Sequence, residues 1–288
     1  MHRIAFVTFV ASLLALPACG RGPSYSEDPE AALGSAVALT EERATASFRQ
    51  VEESTHRGNT KQEIQTGRYD LERDQFQLTI EEEGALDPRF DADNECVQPS
   101  EVSTTITGIG DSFYLTRDGP GTDHDMSWTL VEGSTHGSLR ISFGPVLDYD
   151  RPAWPPVMDA LREPEAVEET SPGRFVVTVP GEGLTPIVNR FGSYYGDGDA
   201  DVPSAELIVY VEDGLIARVT FDQASLLAWV DELAAEQRAA AASGSSGTNG
   251  ATGASSEPSD FTKVLDLTLS NFGDDVDIEA PNDYLRSD

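Results

Sequence analysis

The segment ELIVYVEDGLIARVTFD, residues 206–222, sets two runs of β-branched and apolar residues on either side of Asp213-Gly214, a pair that turns hairpins. Strand side chains point alternately to opposite faces, so Leu207, Val209 and Val211 share one face. What they meet depends on the turn. A two-residue turn pairs Val211 with Ile216 and Val209 with Arg218, which sets an arginine against the valine face. A three-residue loop of Glu212, Asp213 and Gly214 instead pairs Val211 with Leu215, Val209 with Ala217 and Leu207 with Val219, giving one clean apolar face. The pattern predicts the longer, bulged turn, with Gly214 left-handed.

Outward from this hairpin the same period of two recurs. TASFRQVEES, GRYDLERDQFQLTI, EVSTTITGIGDSFYLTR, SWTLVEG, SLRISF, GRFVVTVP and KVLDLTLSNF are short alternating runs separated by Gly, Asp and Asn turns. They predict a sheet-dominated, antiparallel domain. Helices are few. Asp28-Pro29 is a cap and first-turn pair, and Ala32, Leu33, Ala36, Val37 and Leu39 follow at helical spacing, so a helix is expected over residues 29–42. PPVMDALREPEAVEET should begin a helix at Pro156, bury Val157, Met158 and Leu161, and break or kink at Pro164. LTPIVNRFGSYYG offers Leu184, Ile187, Val188 and Phe191 on one helical face. Residues 223–260 join a helix, with Leu226, Val230 and Leu233 in phase, to a Ser/Gly-rich stretch too polar to fold, an insertion between the hairpin and the last predicted strand.

The chain opens with IAFVTFVASLLAL, an apolar run of signal-peptide length, shorter than a membrane span. Leu16, Pro17 and Ala18 then precede Cys19, which resembles the lipobox of bacterial lipoproteins. That resemblance implies that residues 1–18 are a signal peptide, that Cys19 carries diacylglycerol and N-acylation (a palmitate-type lipidation), and that residues 19–28 are a flexible tether. Two or three acyl chains hold a protein durably on a membrane where one does not. The expected location is the extracytoplasmic face of the cell membrane. With Cys19 acylated, Cys96 has no partner in the chain, so packing rather than a disulfide must hold the fold.

The sequence carries 51 acidic and 19 basic residues, a formal charge of −32, and its only lysines are Lys61 and Lys263. Such a surface repels nucleic acid and anionic lipid headgroups, which excludes nucleic-acid partners; solubility is the simplest use of the charge. No nucleophile motif, phosphate loop or zinc spacing occurs, and no enzyme, metal or cofactor is expected. Asp197, Asp199 and Asp201 have calcium-loop spacing, but Val202 and Ile208 stand where glycine and glutamate belong. His124, between Asp123 and Asp125, reads as a solvated turn.

VLDLTLSNFGDDVDIEAP, residues 264–281, read with the lipobox, resembles the closing strand of the LppX/LprG-type envelope lipoproteins of actinobacteria, relatives of the LolA/LolB carriers. The strands GRYDL and IGDSFYL and the hairpin fit that family in order. The resemblance implies an α+β fold with one LolA-like domain over residues 29–288. Its sheet would be a strongly curved, unclosed antiparallel half-barrel packed on a few helices, with lipid or glycolipid acyl chains bound between the layers for envelope transport or presentation. On that fold the expected wall is Phe48, Phe76, Leu78, Phe113, Leu115, Trp128, Phe143, Phe175, Val177, Leu207 and Val209, residues that taken singly suit a filled core better. A sensory or protein-interaction lipoprotein that docks a membrane-protein partner and binds no lipid is the alternative.

Overall fold

The computed structural model describes residues 25–56, 58–84, 89–90, 96–97, 103–118, 128–132, 154–189, 202–229, 232 and 262–286. Helix α1 (Pro29–Glu42) starts and stops where the capping pattern placed it, and the Asp28 carboxylate accepts from the Ala31 amide at 3.0 Å. The strands are β1 (Thr45–His56), β2 (Asn59–Asp70), β3 (Gln75–Gly84), β4 (Arg89–Phe90), β5 (Cys96–Val97), β6 (Ser103–Ile109), β7 (Ser112–Asp118) and β8 (Trp128–Glu132). Helix α2 (Trp154–Arg162), β9 (Ala166–Ser171), β10 (Arg174–Val179), helix α3 (Gly181–Asn189), β11 (Ala205–Glu212), β12 (Leu215–Asp222), β13 (Thr262–Ser270) and β14 (Tyr284–Arg286) follow. Helix α2 buries Val157, Met158 and Leu161 and ends before Pro164. The following AVEETS is strand β9 rather than helix, because Pro164 ends the helix and lets the chain pair with β10. Residues 224–229 are helical and Leu226 is fully buried.

Twelve strands form one sheet in the order β14-β8-β7-β6-β3-β2-β1-β13-β12-β11-β10-β9, and β4 and β5 make a separate small ladder. All neighbours are antiparallel except β14 on β8. β14 and β9 lie at opposite ends of the order, so the sheet is open. It is also curved. Trp154 of α2 stacks on Tyr69 of β2 at 4.2 Å between ring centroids, and α2 also packs on β10. In sheet order β2 and β10 are separated by about five strand spacings, roughly 24 Å if flat, whereas the nine residues of α2 span only about 13 Å. The sheet therefore curls around its helices, the expected α+β half-barrel.

The 206–222 hairpin departs from expectation. Asp213 and Gly214 both take positive φ, 51° and 79°, so the turn has two residues, of type I′, with Glu212 opposite Leu215 and Val211 opposite Ile216. The clean face is restored one step later. Ala217 is bulged out, Tyr210 pairs with Arg218, and Val209 meets Val219. The bulge lets Ile216 and Val219, three apart, point the same way, and both are buried. Gly214 is left-handed as predicted. Helix α1 is tied to this strand: buried Thr40 Oγ1 donates to the Ala36 carbonyl at 2.7 Å and accepts from the Ile216 amide at 2.9 Å.

On the inner face Phe76 and Phe113 flank Gly108, paired on either side of it. A Cβ at Gly108 would stand 2.2 Å from Phe76 Cε1. Gly108→Ala should therefore lower stability by about 1–3 kcal/mol through overpacking, read as a reduced midpoint in thermal or urea unfolding.

Candidate functional site

Register carries one face across the sheet. Leu115, Ile106, Leu78, Gly67, Phe48 and Leu269 lie opposite one another in succession from β7 to β13. Leu267, Val219, Val209 and Phe175 extend the neighbouring row from β13 to β10. Side chains from nine consecutive strands, β7 through β10 in sheet order, thus join one apolar cluster, and α1, α2 and α3 cover it with Leu33, Val37, Trp154, Met158, Leu184 and Ile187. Burial holds the Tyr69 phenol well above the ordinary tyrosine range.

Of the expected wall residues, Phe48, Phe76, Leu78, Phe113, Leu115, Phe175, Val177, Leu207 and Val209 all belong to this cluster. Trp128 does not. Leu115 pairs with Thr129 and Tyr114 with Leu130, so alternation puts Trp128 and Leu130 on the face of Tyr114, opposite to that of Leu115. Phe143, Cys19, His124 and the 197–201 aspartates lie outside the described residues, as do Val230 and Leu233. Cys96 sits in β5. Among the described residues no group of three or more His, Cys, Asp or Glu converges as a metal site would require.

The inner face also holds polar residues that the sequence reading passed over. On β1, Gln50, Glu52 and Ser54 follow Ala46 and Phe48 at steps of two, and all five are buried. Glu63 and Gln65 of β2 stand opposite Glu52 and Gln50, Lys263 of β13 opposite Ser54, and the Gln223 amide donates to the Lys263 carbonyl at 2.9 Å. Their neighbours are apolar: Ile80 pairs with Gln65, Leu265 with Glu52 and Leu267 with Gln50. Seven buried polar side chains thus form an island in an apolar face. The parity of FRQVEES carried the signal, because any face that holds Phe48 must hold Gln50, Glu52 and Ser54 as well.

Lys263 Nζ lies 2.5 Å from Glu52 Oε1, and Gln65 Nε2 donates to Glu63 Oε1 at 2.8 Å. Burial first, and then the neighbouring Glu52 carboxylate, push the Glu63 carboxyl up to about 7, against smaller opposing effects of Gln65 and Lys61. The outer face is polar in the ordinary way: Arg218 holds Asp266 with two hydrogen bonds, and its guanidinium lies 5.4 Å from the Tyr210 ring centroid.

No family model matches the chain, and no curated protein matches it. Among solved structures it is similar to LprF from Mycobacterium bovis, with 11% identity, 89% of this chain and 98% of that chain covered, and a TM-score of 0.40. It is also similar to the Mycobacterium tuberculosis lipoprotein LppX, with 10% identity, 87% and 97% coverage, and a TM-score of 0.37. No helix among the described residues is long and apolar enough to cross a membrane.

A carboxyl whose proton affinity the fold raises costs stability wherever the unfolded chain ionises it, because the folded state must either keep the proton or bury the charge. For Glu63 the cost is absent below its ordinary value of 4.5, grows as pH rises toward about 7, and is complete above that. Glu63→Gln removes the charge and should raise stability at pH 8 by up to about 3 kcal/mol with little effect at pH 4. Melting curves of the two proteins across that range, converging at acid pH and separating above neutrality, are the expected result.

Proposed function

We propose that this chain is a lipid-anchored, extracytoplasmic protein whose inner sheet face binds acyl chains of a lipid or glycolipid and carries or presents them in the cell envelope. The observation behind this reading is the breadth of the apolar face. Nine strands of an unclosed sheet contribute to it, and among the described residues α1, α2, α3 and Leu226 cover it. An acyl chain asks for no more than a dry, concave apolar wall, and it gains about 25 cal/mol for each Å² it removes from water. The named wall is Phe48, Phe76, Leu78, Phe113, Leu115, Phe175, Val177, Leu207 and Val209. The mechanism is burial and release, with no covalent step.

The tether fits the same picture. Tyr25 and Ser26 rest on the edge strand β9, where the Ser26 amide donates to the Glu169 carboxylate at 2.5 Å. These backbone bonds from Ser26 and Gly173 hold the Glu169 carboxyl below the usual range. Five residues separate Cys19 from Tyr25, six Cα steps in all, so an extended tether lets the β9 edge and the start of α1 stand no more than roughly 20 Å from a membrane that holds Cys19. The acidic body would keep its distance from anionic headgroups while the anchor holds it close.

Two experiments test this reading. Native mass spectrometry of the full chain, released from membranes in mild detergent and then extracted with organic solvent, should show a stoichiometric noncovalent lipid; a mass free of adduct after incubation with envelope lipids favours the protein-interaction alternative. Cys19→Ala should abolish metabolic labelling by a radiolabelled fatty acid, and labelling that persists overturns the anchor.

A further inference from the structure

The polar island on the inner face has a chemical bias. Gln65 has committed its amide N–H to Glu63, which leaves its carbonyl as the group still to be satisfied, and among the described residues Gln65 Oε1 has no hydrogen-bond partner. Gln50 Oε1, directly across the β1–β2 ladder, has none either. Gln50 is 2% exposed and Gln65 1% exposed, so water does not freely replace the missing partners. A buried acceptor left unmade costs about 1–3 kcal/mol, which makes two adjacent ones a feature that wants a donor.

Charge selects the kind of donor. Two carboxylates, Glu52 and Glu63, share the island with one ammonium, Lys263, already held on Glu52. A phosphate or carboxylate would meet acceptors and like charge. A divalent metal would meet the Lys263 ammonium. A hydroxyl could bond to the carbonyls but would leave the charge of Glu63 uncompensated. A primary ammonium supplies three N–H donors and one positive charge, matching Gln50 Oε1, Gln65 Oε1 and the Glu63 carboxylate.

We propose that Gln50, Gln65 and Glu63 form a subsite for the primary ammonium head of an amphiphile whose chains lie on the surrounding apolar face. This rests on the acyl-chain reading above and adds the head that such a ligand carries. Phe48 is two residues from Gln50 on the same face, Ile80 pairs with Gln65 and Leu267 with Gln50, so a chain leaving the subsite enters apolar surroundings on each of these sides. The Glu63 carboxyl, pushed up to about 7 in the free protein, would be held ionised by the bound cation. Among the described residues Gln223, fully buried with both amide atoms unpartnered, borders the island beyond Lys263 and gives it a further uncommitted group.

Titration calorimetry of the full chain at pH 8 with chain-matched probes tests the assignment. Hexadecylamine should bind at least about tenfold more tightly than hexadecanol, and hexadecyltrimethylammonium, which has the charge without the donors, should fall near hexadecanol. Dioleoyl phosphatidylethanolamine should be preferred over dioleoyl phosphatidylglycerol, and propylamine, a head without a chain, should not compete. The Gln50→Leu/Gln65→Leu variant should lose the amine preference while binding hexadecanol as the parent does; if that pair fails to fold, Gln65→Leu alone should show a smaller loss in the same direction. Equal affinity for amine and alcohol, equal affinity for the trimethylammonium probe, or displacement of the amine by calcium would each overturn the ammonium subsite and leave the acyl-chain reading standing. Binding of none of the hexadecyl probes would overturn both.

Discussion

An open sheet of twelve strands must bury one face without closing on itself. Closure would remove its edges and seal its interior by ladder hydrogen bonds alone. Among the described residues β9 and β14 remain edges, and the inner face depends for its dryness on curvature and on the cover supplied by α1, α2, α3 and Leu226. The Tyr69–Trp154 stack joins the β2 region to α2, and Thr40 joins α1 to the bulged strand β12. Both contacts pull the helices onto the hollow side.

The chain after β13 reinforces the same junction. The Gly273 amide donates to the Thr45 carbonyl at 2.9 Å, Thr45 Oγ1 donates to the Asp274 carbonyl at 2.7 Å, and Val276 and Ile278 are buried. The phrase FGDDVDI that prompted the family resemblance thus has a local structural role: it returns the chain across the start of β1, where α1 ends. The breadth of the apolar face and the polarity of its island are linked as well. On the proposed reading, an apolar face alone would discriminate poorly between lipids, whereas a few buried polar groups would fix orientation and reward one head over another.

Much of this was open to reading in the chain itself. Helix α1 announced its start through Asp28 and Pro29, and most strands through a period of two, because capping and alternation are local properties. Nine of the expected wall residues lie on the predicted face for the same reason. One failure is of element type, AVEETS being strand β9 rather than helix; the others are of register. Trp128 is apolar and sits in a real strand, yet it faces away from Leu115, since only pairing with β7 sets which parity of β8 turns inward. The bulge at Ala217 was invisible because a two-residue turn and a longer loop satisfy the same string of residues.

The sequence alone therefore determined the first helix, most of the strands and the acidic charge, all properties of residues and their near neighbours, and the expectation of a lipid on Cys19 rests on it too. The tertiary structure decided the rest. It set Gln50 beside Gln65 and Glu52 beside Glu63, and it put Lys263, one of only two lysines, into a buried ion pair on β1. Those residues are scattered over more than two hundred positions and look like solvated strand polars until the sheet curls. Long-range strand pairing then places them on the buried side, where desolvation converts ordinary carboxylates and amides into groups in need of a partner.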